Sequence, residues 1–384
     1  MTGFKLARRA LVIAGSAALL AACQVIPKGP ATSTGPVDTG PAPEPSATAL
    51  PTDETRHRVA LLVPMSGDNA RVGQSIANAT TMALLDTNAS NLRITTYDTS
   101  TDPRGAARKA IADGNKLILG PLLSGNVAQV LAEARPARVP LISFSNDESV
   151  AATDSFVMGH LPSQSISRTI AYARSRGAQS VAAIVPDGEY GQRAELSLTQ
   201  ALRENAMSLG GIERYARGNT SIVSASERLK ARGGFDAVLI ADGARLVIQA
   251  AGVFKPGTTQ LLGTELLSGE SSVTQASALR GTWFSAVSDG RFKRFSESYN
   301  SRFGGQPFRI ATLGYDSVLL ALRVARDWKV GSSFPTGALY ADDGFLGLDG
   351  AFRFGRNGVV QRAMEVREVR AGGVVIVDAA PTKF

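Results

Sequence analysis

The sequence has very little cysteine and histidine. Its 384 residues include one cysteine, Cys23, and two histidines, His57 and His160. One cysteine excludes an internal disulfide framework and any zinc or iron–sulfur site built from several cysteines. Two histidines leave little material for metal ligation or imidazole chemistry. The composition therefore predicts no metal and no cofactor.

Common catalytic motifs are also missing. No phosphate-binding loop, G-x-G-x-x-G fingerprint or G-x-S-x-G nucleophile elbow occurs. A hydrolase would have to use His57 or His160, and both are interpreted as surface or hinge residues. Asp98 and Asp102 flank a loop and could ligate a cation, but turn formation and helix capping are the preferred interpretation. An enzyme is the weakest functional hypothesis.

The positive charge does not indicate nucleic-acid binding. Forty-one basic residues outnumber 33 acidic residues, which gives a net charge of +8. Three of these basic residues (Lys5, Arg8 and Arg9) lie in the first 22 residues, so the rest of the chain carries 38 − 33 = +5. The others are scattered along predicted helix faces without interleaved aromatic residues, which is typical of solvated surfaces.

The first 22 residues have the layout of a signal peptide. A basic start precedes a short apolar run, and Leu20-Ala-Ala-Cys23 follows and matches a bacterial lipobox. This match predicts cleavage and lipidation at Cys23; the alternative is a soluble secreted protein with a free thiol. Gln24 takes the position where, in Gram-negative lipoproteins, an aspartate favours inner-membrane retention. The prediction is therefore a periplasmic protein anchored by lipid to the outer membrane.

A proline-rich segment follows Cys23. Residues 24–55 contain seven prolines with Thr, Ser, Ala and Gly and almost no large apolar residue. Such a composition cannot bury enough apolar surface to fold. We therefore predict a disordered tether over residues 23–55.

From Arg56 onward the pattern changes to alternating strands and helices. Apolar runs such as Val59–Val63 and Val181–Val185 predict buried parallel strands, and helical stripes separate them. One long helix is predicted to end at Gly210-Gly211, and Ser163 is taken as an N-cap. The alternation predicts an α/β fold with two successive wound sheets and a β-rich tail from Gly350.

Polar loops follow several predicted strands. Ligands of open parallel sheets bind outside the carboxyl ends of the strands. Serine hydroxyls and free amides suit a carboxylate, whereas a lone carboxylate suits an ammonium group. These loops give a candidate ligand-binding set: Ser66, Ser124, Ser143, Ser145, Asn146, Tyr190 and Glu265. Taken singly, each serine or asparagine is better explained as a helix cap. Taken together, the five loops in one topological pattern make ligand binding an equally good explanation.

Four segments carry a resemblance to a known family. They are Val59–Gly67, Leu119–Ser124, Val139–Ser143 and Val185–Gly191, and Gly314-Tyr-Asp316 fits the same pattern. In this order they resemble the type I periplasmic binding proteins, and within them the leucine/isoleucine/valine-binding family.

This resemblance implies two Rossmann-like lobes joined by three crossings. The crossings are expected near Leu161-Pro162, Trp283–Asp289 and Leu339–Gly344. The first lobe would comprise residues 56–161 and 289–339, and the second residues 162–288 and 340–380.

The resemblance also implies roles for the candidate residues. Ser124 would contact a ligand carboxylate, Glu265 would receive an ammonium group, and Tyr190 matches an Asp-x-x-Tyr-Gly turn. Ser143, Ser145 and Asn146 match the loop after the fourth strand. Ala241-Asp-Gly-Ala244 stands where amino-acid binders carry an aromatic residue, which puts a standard branched-chain amino-acid site in question.

The anchor, the tether and Gly120-Pro-Leu-Leu123 resemble the lipoprotein branch that activates penicillin-binding proteins. This implies a protein-binding module that stimulates a bifunctional penicillin-binding protein in peptidoglycan synthesis. The alternative is the solute-binding component of an amino-acid ABC transporter, with a transporter permease as its partner and an amino-acid-like ligand in the cleft.

Overall fold

The computed structural model describes residues 55–218, 220–254 and 259–381. The predicted signal peptide, the lipidation site Cys23 and nearly all of the predicted tether lie outside the described residues, so they remain predictions. No helix in the described ranges is long and apolar enough to cross a membrane.

The first lobe is built on a parallel sheet. Within the described chain its five strands have the order β2-β1-β3-β4-β5. They are β1 (His57–Val63), β2 (Leu92–Asp98), β3 (Leu117–Leu119), β4 (Leu141–Ser143) and β5 (Ser155–Val157). The helices between them are α1 (Ala70–Asp86), α2 (Pro103–Ala112) and α3 (Ser124–Ala134).

Strand β1 shows why this sheet is covered on both faces. Val59, Leu61 and Val63 pack in a core that includes Ile76 of α1. The alternate residues of β1, such as Leu62, pack in a second core with α2 and α3. Because neighbouring side chains of a strand point to opposite faces, a strand between two helix layers must be apolar throughout.

The second lobe is built on a larger mixed sheet. In the described residues its seven strands have the order β15-β14-β10-β9-β8-β6-β7. Its elements up to the second crossing are α4 (Pro162–Ser175), β6 (Ser180–Pro186), α5 (Glu189–Glu204), β7 (Ser208–Tyr215), α6 (Ser221–Arg232), β8 (Ala237–Ile240), α7 (Ala244–Ala251), β9 (Gln260–Leu262), α8 (Ser271–Gln275) and β10 (Trp283–Ala286).

After β10 the chain returns to the first lobe. Helix α9 (Phe292–Phe303) packs against α1 through Phe295 and Tyr299, and α10 (Thr312–Val324) also lies on α1. A small antiparallel sheet follows, formed by β11 (Phe345–Gly347), β12 (Gly350–Phe354) and β13 (Val360–Arg362). The chain then enters the second lobe again as β14 (Glu365–Arg370) and β15 (Gly373–Asp378). The two-lobed α/β fold that the resemblance implies is confirmed.

The crossings between the lobes follow from the sheet that each strand joins. The chain crosses between β5 and α4 and again between β10 and α9. The third crossing lies between β13 and β14 rather than at Leu339–Gly344. Phe345, Phe352 and Phe354 pack in the core of the first lobe, and Val359 bridges to Val157 of β5. Residues 340–360 therefore belong with the first lobe, because their aromatic side chains are buried there.

Local expectations are wrong at two helix ends. Helix α5 ends at Glu204, and Leu209-Gly-Gly211 lies in β7 instead of closing the helix. Because β7 is an edge strand, Leu209 is exposed, which weakens the period-two pattern of the strand. Helix α4 begins at Pro162, so Ser163 is not its N-cap. Proline suits this first position because its missing N–H has no partner within the helix.

Candidate functional site

A cavity of about 420 Å³ lies between the two lobes. This volume is within the range of small-molecule sites in proteins. Elements of both lobes and of the first crossing contribute its lining residues: Val72, Leu122, Leu123, Phe144, Asn146, His160, Glu265, Leu266, Ser268, Glu270, Phe308, Arg309 and Ile310.

The wall on the first lobe is largely apolar. Phe144 is fully buried after β4, whereas Leu123 and Phe308 are 40% and 39% exposed. These two side chains add exposed apolar surface to the apolar lining of the cavity. This wall therefore suits the hydrocarbon part of a ligand.

The opposite wall carries the carboxylate of Glu265. This residue begins a short 3-10 turn after β9, where Thr264 accepts a hydrogen bond from the Leu266 amide. The Tyr190 hydroxyl donates to Oε1 of Glu265 at 3.1 Å and shares a hydrogen bond with Thr264 at 2.9 Å. Oε2 of Glu265 is buried and has no hydrogen-bond partner in the described part of the chain.

Burial raises the pKa of the Glu265 carboxyl from its ordinary value of 4.5 to about 7. Burial also raises the pKa of Tyr190 well above its ordinary value, so this hydroxyl stays protonated and can donate. A carboxylate with one oxygen held and the other unpaired is an acceptor for a ligand N–H group.

The floor of the cavity is charged and lies beside the crossings. Nη1 of Arg309 donates to Oδ1 of Asp349 at 2.6 Å, and Nε2 of His160 lies 2.7 Å from Oδ2 of the same carboxylate. Thr312 also donates to Oδ2 at 2.9 Å. Burial acts to raise the pKa of Asp349, but Arg309 and His160 hold it well below its ordinary value. Burial lowers the pKa of His160, which Asp349 only partly offsets.

Three of the predicted ligand-binding residues lie together. Asn146 and Glu265 both line the cavity, and the Tyr190 hydroxyl donates a hydrogen bond to Glu265. The side-chain oxygen of Asn146 is already occupied, because Nη1 of Arg193 donates to it at 3.1 Å. Nη2 of Arg193 lies 2.8 Å from Oδ2 of Asp147. Arg193 belongs to α5, so these contacts join the second lobe to the first across the cleft.

Ser66, Ser143 and Ser145 have hydrogen-bond partners outside the cavity in the described structure. Ser143 donates to the Pro121 carbonyl at 3.0 Å, and Ser145 accepts from the Asp147 amide at 3.0 Å. Ser66 donates to Asp98 at 3.0 Å in a separate loop cluster. Ser124 is the first residue of α3, next to Leu123 of the cavity wall. Their hydroxyls do not line the cavity.

Sequence reasoning missed the floor of the site. The sequence predicts His160 to be a surface or hinge residue. In the structure it lies at a crossing, and its side chain is paired with buried Asp349. His57 is also buried, at 3% exposure, and stacks on Trp328 with ring centroids 4.1 Å apart. Arg309 is one of 41 basic residues, and its sequence context carries no signal that would single it out.

The two candidate cation ligands have structural roles. Asp102 caps α2 by accepting from the Gly105 amide at 2.8 Å. Desolvation acts to raise the pKa of Asp98. Hydrogen bonds from Met65, Ser100 and Ser66 outweigh it and lower the pKa of Asp98 to about 2. Across residues 55–218, 220–254 and 259–381, no group of three or more His, Cys, Asp or Glu side chains is placed to hold a metal ion.

Solved structures with the same fold include several solute-binding proteins. A branched-chain amino-acid transporter protein of Rhodospirillum rubrum has 18% identity and a TM-score of 0.73, and covers 84% of this chain and 100% of its own. LivJ of Streptococcus pneumoniae in complex with isoleucine has 20% identity and a TM-score of 0.64, with 85% and 100% covered. A Rhodopseudomonas palustris protein in complex with 3,4-dihydroxybenzoic acid has 18% identity and a TM-score of 0.67, with 85% and 97% covered.

Among curated proteins, the uncharacterised protein RP748 of Rickettsia prowazekii is 30% identical over 159 residues. The match covers 41% of this chain and 43% of that protein's length. The family model described as "Periplasmic binding protein" matches residues 57–373. This match spans most of the chain and both lobes, so the chain belongs to the periplasmic binding protein family.

Proposed function

We propose that this protein is a periplasmic, non-enzymatic binding protein that holds a small amino-acid-like ligand between its lobes. The observation that carries this proposal is Glu265, which lines a cleft of about 420 Å³ and whose buried Oε2 has no hydrogen-bond partner among the described residues. An ammonium group beside Glu265 would favour the ionised carboxylate and satisfy this oxygen. The apolar opposite wall would accept the hydrocarbon part of the same ligand.

The ligands of the structural neighbours support the size of the expected ligand. Isoleucine and 3,4-dihydroxybenzoic acid, bound by two of these proteins, are both small molecules with a carboxylate. Binding would stabilise the folded protein by mass action, because the unfolded chain has no cleft.

The test is a thermal-shift screen of the full-length protein, purified in detergent, against amino acids, amino-acid amides, short peptides and aromatic acids. We expect at least one ligand to raise Tm by several degrees at saturating concentration, and Glu265→Gln to weaken that ligand at least tenfold. Glu297→Gln, on the exposed face of α9, serves as the matched control and should leave affinity unchanged. A flat screen, or equal loss in both variants, would contradict the proposal.

The amino-terminal sequence favours a second candidate function. A lipid anchor at Cys23 and a proline-rich tether would place the two lobes away from the outer membrane, within reach of an inner-membrane peptidoglycan synthase. Under this proposal the lobes bind a bifunctional penicillin-binding protein and stimulate it. In the first candidate function, the partner is instead the permease of an ABC transporter.

Affinity purification of the full chain from its own envelope separates these two partners. Recovery of a penicillin-binding protein, together with a faster polymerase rate when the purified proteins are mixed, supports the activator. Recovery of a permease that is released by a screen ligand supports transport. Replacement of Cys23 by Ser should release the protein from the membrane fraction, and a variant that stays in that fraction would contradict the anchor.

A further inference from the structure

Arg309 places an incompletely paired guanidinium at the floor of the cleft. Its side chain is only 15% exposed, and Nη1 donates to Asp349 at 2.6 Å and to Thr312 at 3.1 Å. Nε and Nη2 are buried and have no hydrogen-bond partner in the ranges that the structure describes. Oδ1 of Asp289 lies 3.7 Å from Nε, which is too far for a hydrogen bond.

The guanidinium is held in place on two sides. Its central carbon lies 4.4 Å from the centre of the Phe292 ring, and Asp349 fixes the Nη1 edge. A planar guanidinium fixed in this way presents its remaining edge in one orientation, and that edge matches the geometry of a carboxylate. Buried N–H groups of a charged donor are costly when they stay unpaired.

Ser124, the serine that the family resemblance assigns to a ligand carboxylate, does not line the cavity in the described chain. Ser143 donates to the Pro121 carbonyl and Ser145 accepts from the Asp147 amide, and neither of these serines lines the cavity. Arg309 does line it, together with Glu265. Both residues thus line the same cavity, and each has buried side-chain atoms without a hydrogen-bond partner in the described residues: Nε and Nη2 of Arg309 and Oε2 of Glu265.

We propose that Arg309 is the carboxylate-binding residue of the cleft, through Nε and Nη2. This inference rests on the proposed function, since it assumes that the cleft binds a ligand. The ligand carries a carboxylate at Arg309, a nitrogen donor at Glu265 and an apolar group on the wall of Leu123, Phe144 and Phe308. Arg309 also links the bound carboxylate to the crossings, because its other edge is fixed to Asp349.

The test compares each of two amino acids with its amide on the wild-type protein. Leucine and phenylalanine are titrated beside leucinamide and phenylalaninamide by calorimetry at one pH. The amides keep the nitrogen and the side chain but lose the negative charge at Arg309. We expect at least one amino acid to bind, and at least ten times more tightly than its amide. Equal affinities within both pairs would overturn the assignment.

Variants at Arg309 supply a second readout. Arg309→Gln should reduce the ratio of amino-acid to amide affinity towards one, and Arg309→Lys should recover only part of it, because a lysine cannot form the forked pair. Arg71→Gln is the matched control: this exposed guanidinium lies near the cleft, over Phe308, and should leave the ratio unchanged. An unchanged ratio in a folded Arg309→Gln protein would overturn the assignment while leaving the proposed function intact.

The wider ligand screen distinguishes this failure from failure of the proposed function. A screen hit without any anionic group would support a binding protein and overturn the role of Arg309. Binding of a carboxylate without a nitrogen, such as benzoate, with a loss in Arg309→Gln would support Arg309 and contradict the role of Glu265. If the four test compounds and the whole screen fail to bind, both proposals are wrong.

Discussion

At the scale of single residues, the environment of Glu265 sets its chemistry. One carboxylate oxygen accepts from Tyr190, and the other is buried without a partner in the described structure. The cost of burying the charge raises the pKa of this carboxyl to about 7. Near neutral pH the group can therefore change charge in response to a nearby cation.

This raised pKa predicts a pH dependence of stability. In the unfolded chain Glu265 loses its proton near pH 4.5, whereas in the folded protein it keeps the proton to about pH 7. The folded state then binds more protons, so the contribution of Glu265 to stability is present below pH 4.5 and falls as pH rises to about 7. Glu265→Gln should remove this fall and raise the free energy of unfolding at pH 8 by about 3 kcal/mol.

Thermal unfolding of both proteins between pH 4 and pH 8.5 measures this effect. The difference in Tm between variant and wild type should grow from pH 5 to pH 8. Glu297→Gln should show no such trend, because that side chain is exposed. A difference that is constant with pH would mean that Glu265 is ionised in the folded protein across the whole range.

At the scale of elements, two glycines set how helices approach the preceding strands. A Cβ at Gly73 of α1 would lie 1.7 Å from the Pro64 carbonyl oxygen, and one at Gly191 of α5 would lie 1.7 Å from that of Pro186. In both lobes the first helix turn thus packs directly on the loop after the first strand. In both lobes a proline lies at the end of the first strand and a glycine in the following helix allows the close approach, although the two spacings in the sequence differ.

Gly73→Ala should therefore destabilise the first lobe. The methyl group cannot fit against a backbone oxygen, so either the helix or the strand end must move, at a cost of about 2 kcal/mol or more. Gly125→Ala in α3 is the matched control, because a Cβ there meets no atom within 4 Å. The control should be neutral or stabilising by about 0.5 kcal/mol, since alanine favours helices.

Chemical denaturation of both variants measures the difference. Equal stabilities of the two variants would show that the close approach of α1 to Pro64 is relaxed in solution. Gly73→Ala should also weaken any cleft ligand, because Val72 beside it lines the cavity.

At the scale of the whole molecule, charges connect segments that are far apart in the chain. Arg193 of α5 joins Asn146 and Asp147 across the cleft. Asp349 joins His160 of the first crossing to Arg309 beside the second, and Arg362 before the third lies 3.9 Å from it. The contacts of Arg193 join the two lobes, whereas the Asp349 network ties the ends of the crossings to the first lobe.

Arg193→Ala should weaken the contact between the two lobes across the cleft. Because Arg193 and Asp147 are partly buried, their loss should cost about 1 kcal/mol. If closure accompanies binding, affinity for a cleft ligand should fall about fivefold, and the radius of gyration in small-angle scattering should rise. Arg228→Ala, which removes an ion pair with Glu213 within one lobe, should change neither quantity. An unchanged radius of gyration in Arg193→Ala would show that this contact does not hold the lobes.

Asp349→Asn should be far more destabilising. The carboxylate is fully buried, and its removal leaves Arg309, His160 and Arg362 without their shared counter-charge. We expect a loss of about 3 kcal/mol in the free energy of unfolding. Asp343→Asn, in an exposed pair with Arg323, should cost less than about 1 kcal/mol. Comparable losses in the two variants, measured by denaturation at pH 7, would contradict a stabilising role for the buried network.

The α/β fold with two wound sheets could be predicted from the sequence pattern, and the family resemblance implied the two lobes. Short apolar runs and glycine-bounded helices have periods that follow directly from backbone geometry. The sequence pattern did not predict the edge strand β7, because its exposed residues do not alternate between apolar and polar. Nor did it predict the third crossing, whose position depends on where Phe345 and Phe352 are buried.

Only the tertiary structure decided which polar residues meet in the cleft. Glu265 and Asn146 could be proposed from their loops, because parallel strands bring their carboxyl ends to one edge. Arg309 and His160 could not, because their importance comes from partners about 40 and 190 residues away, such as Asp349. A sequence shows which hydroxyls and charges exist, but hydrogen bonding and burial decide which of them remain free for a ligand.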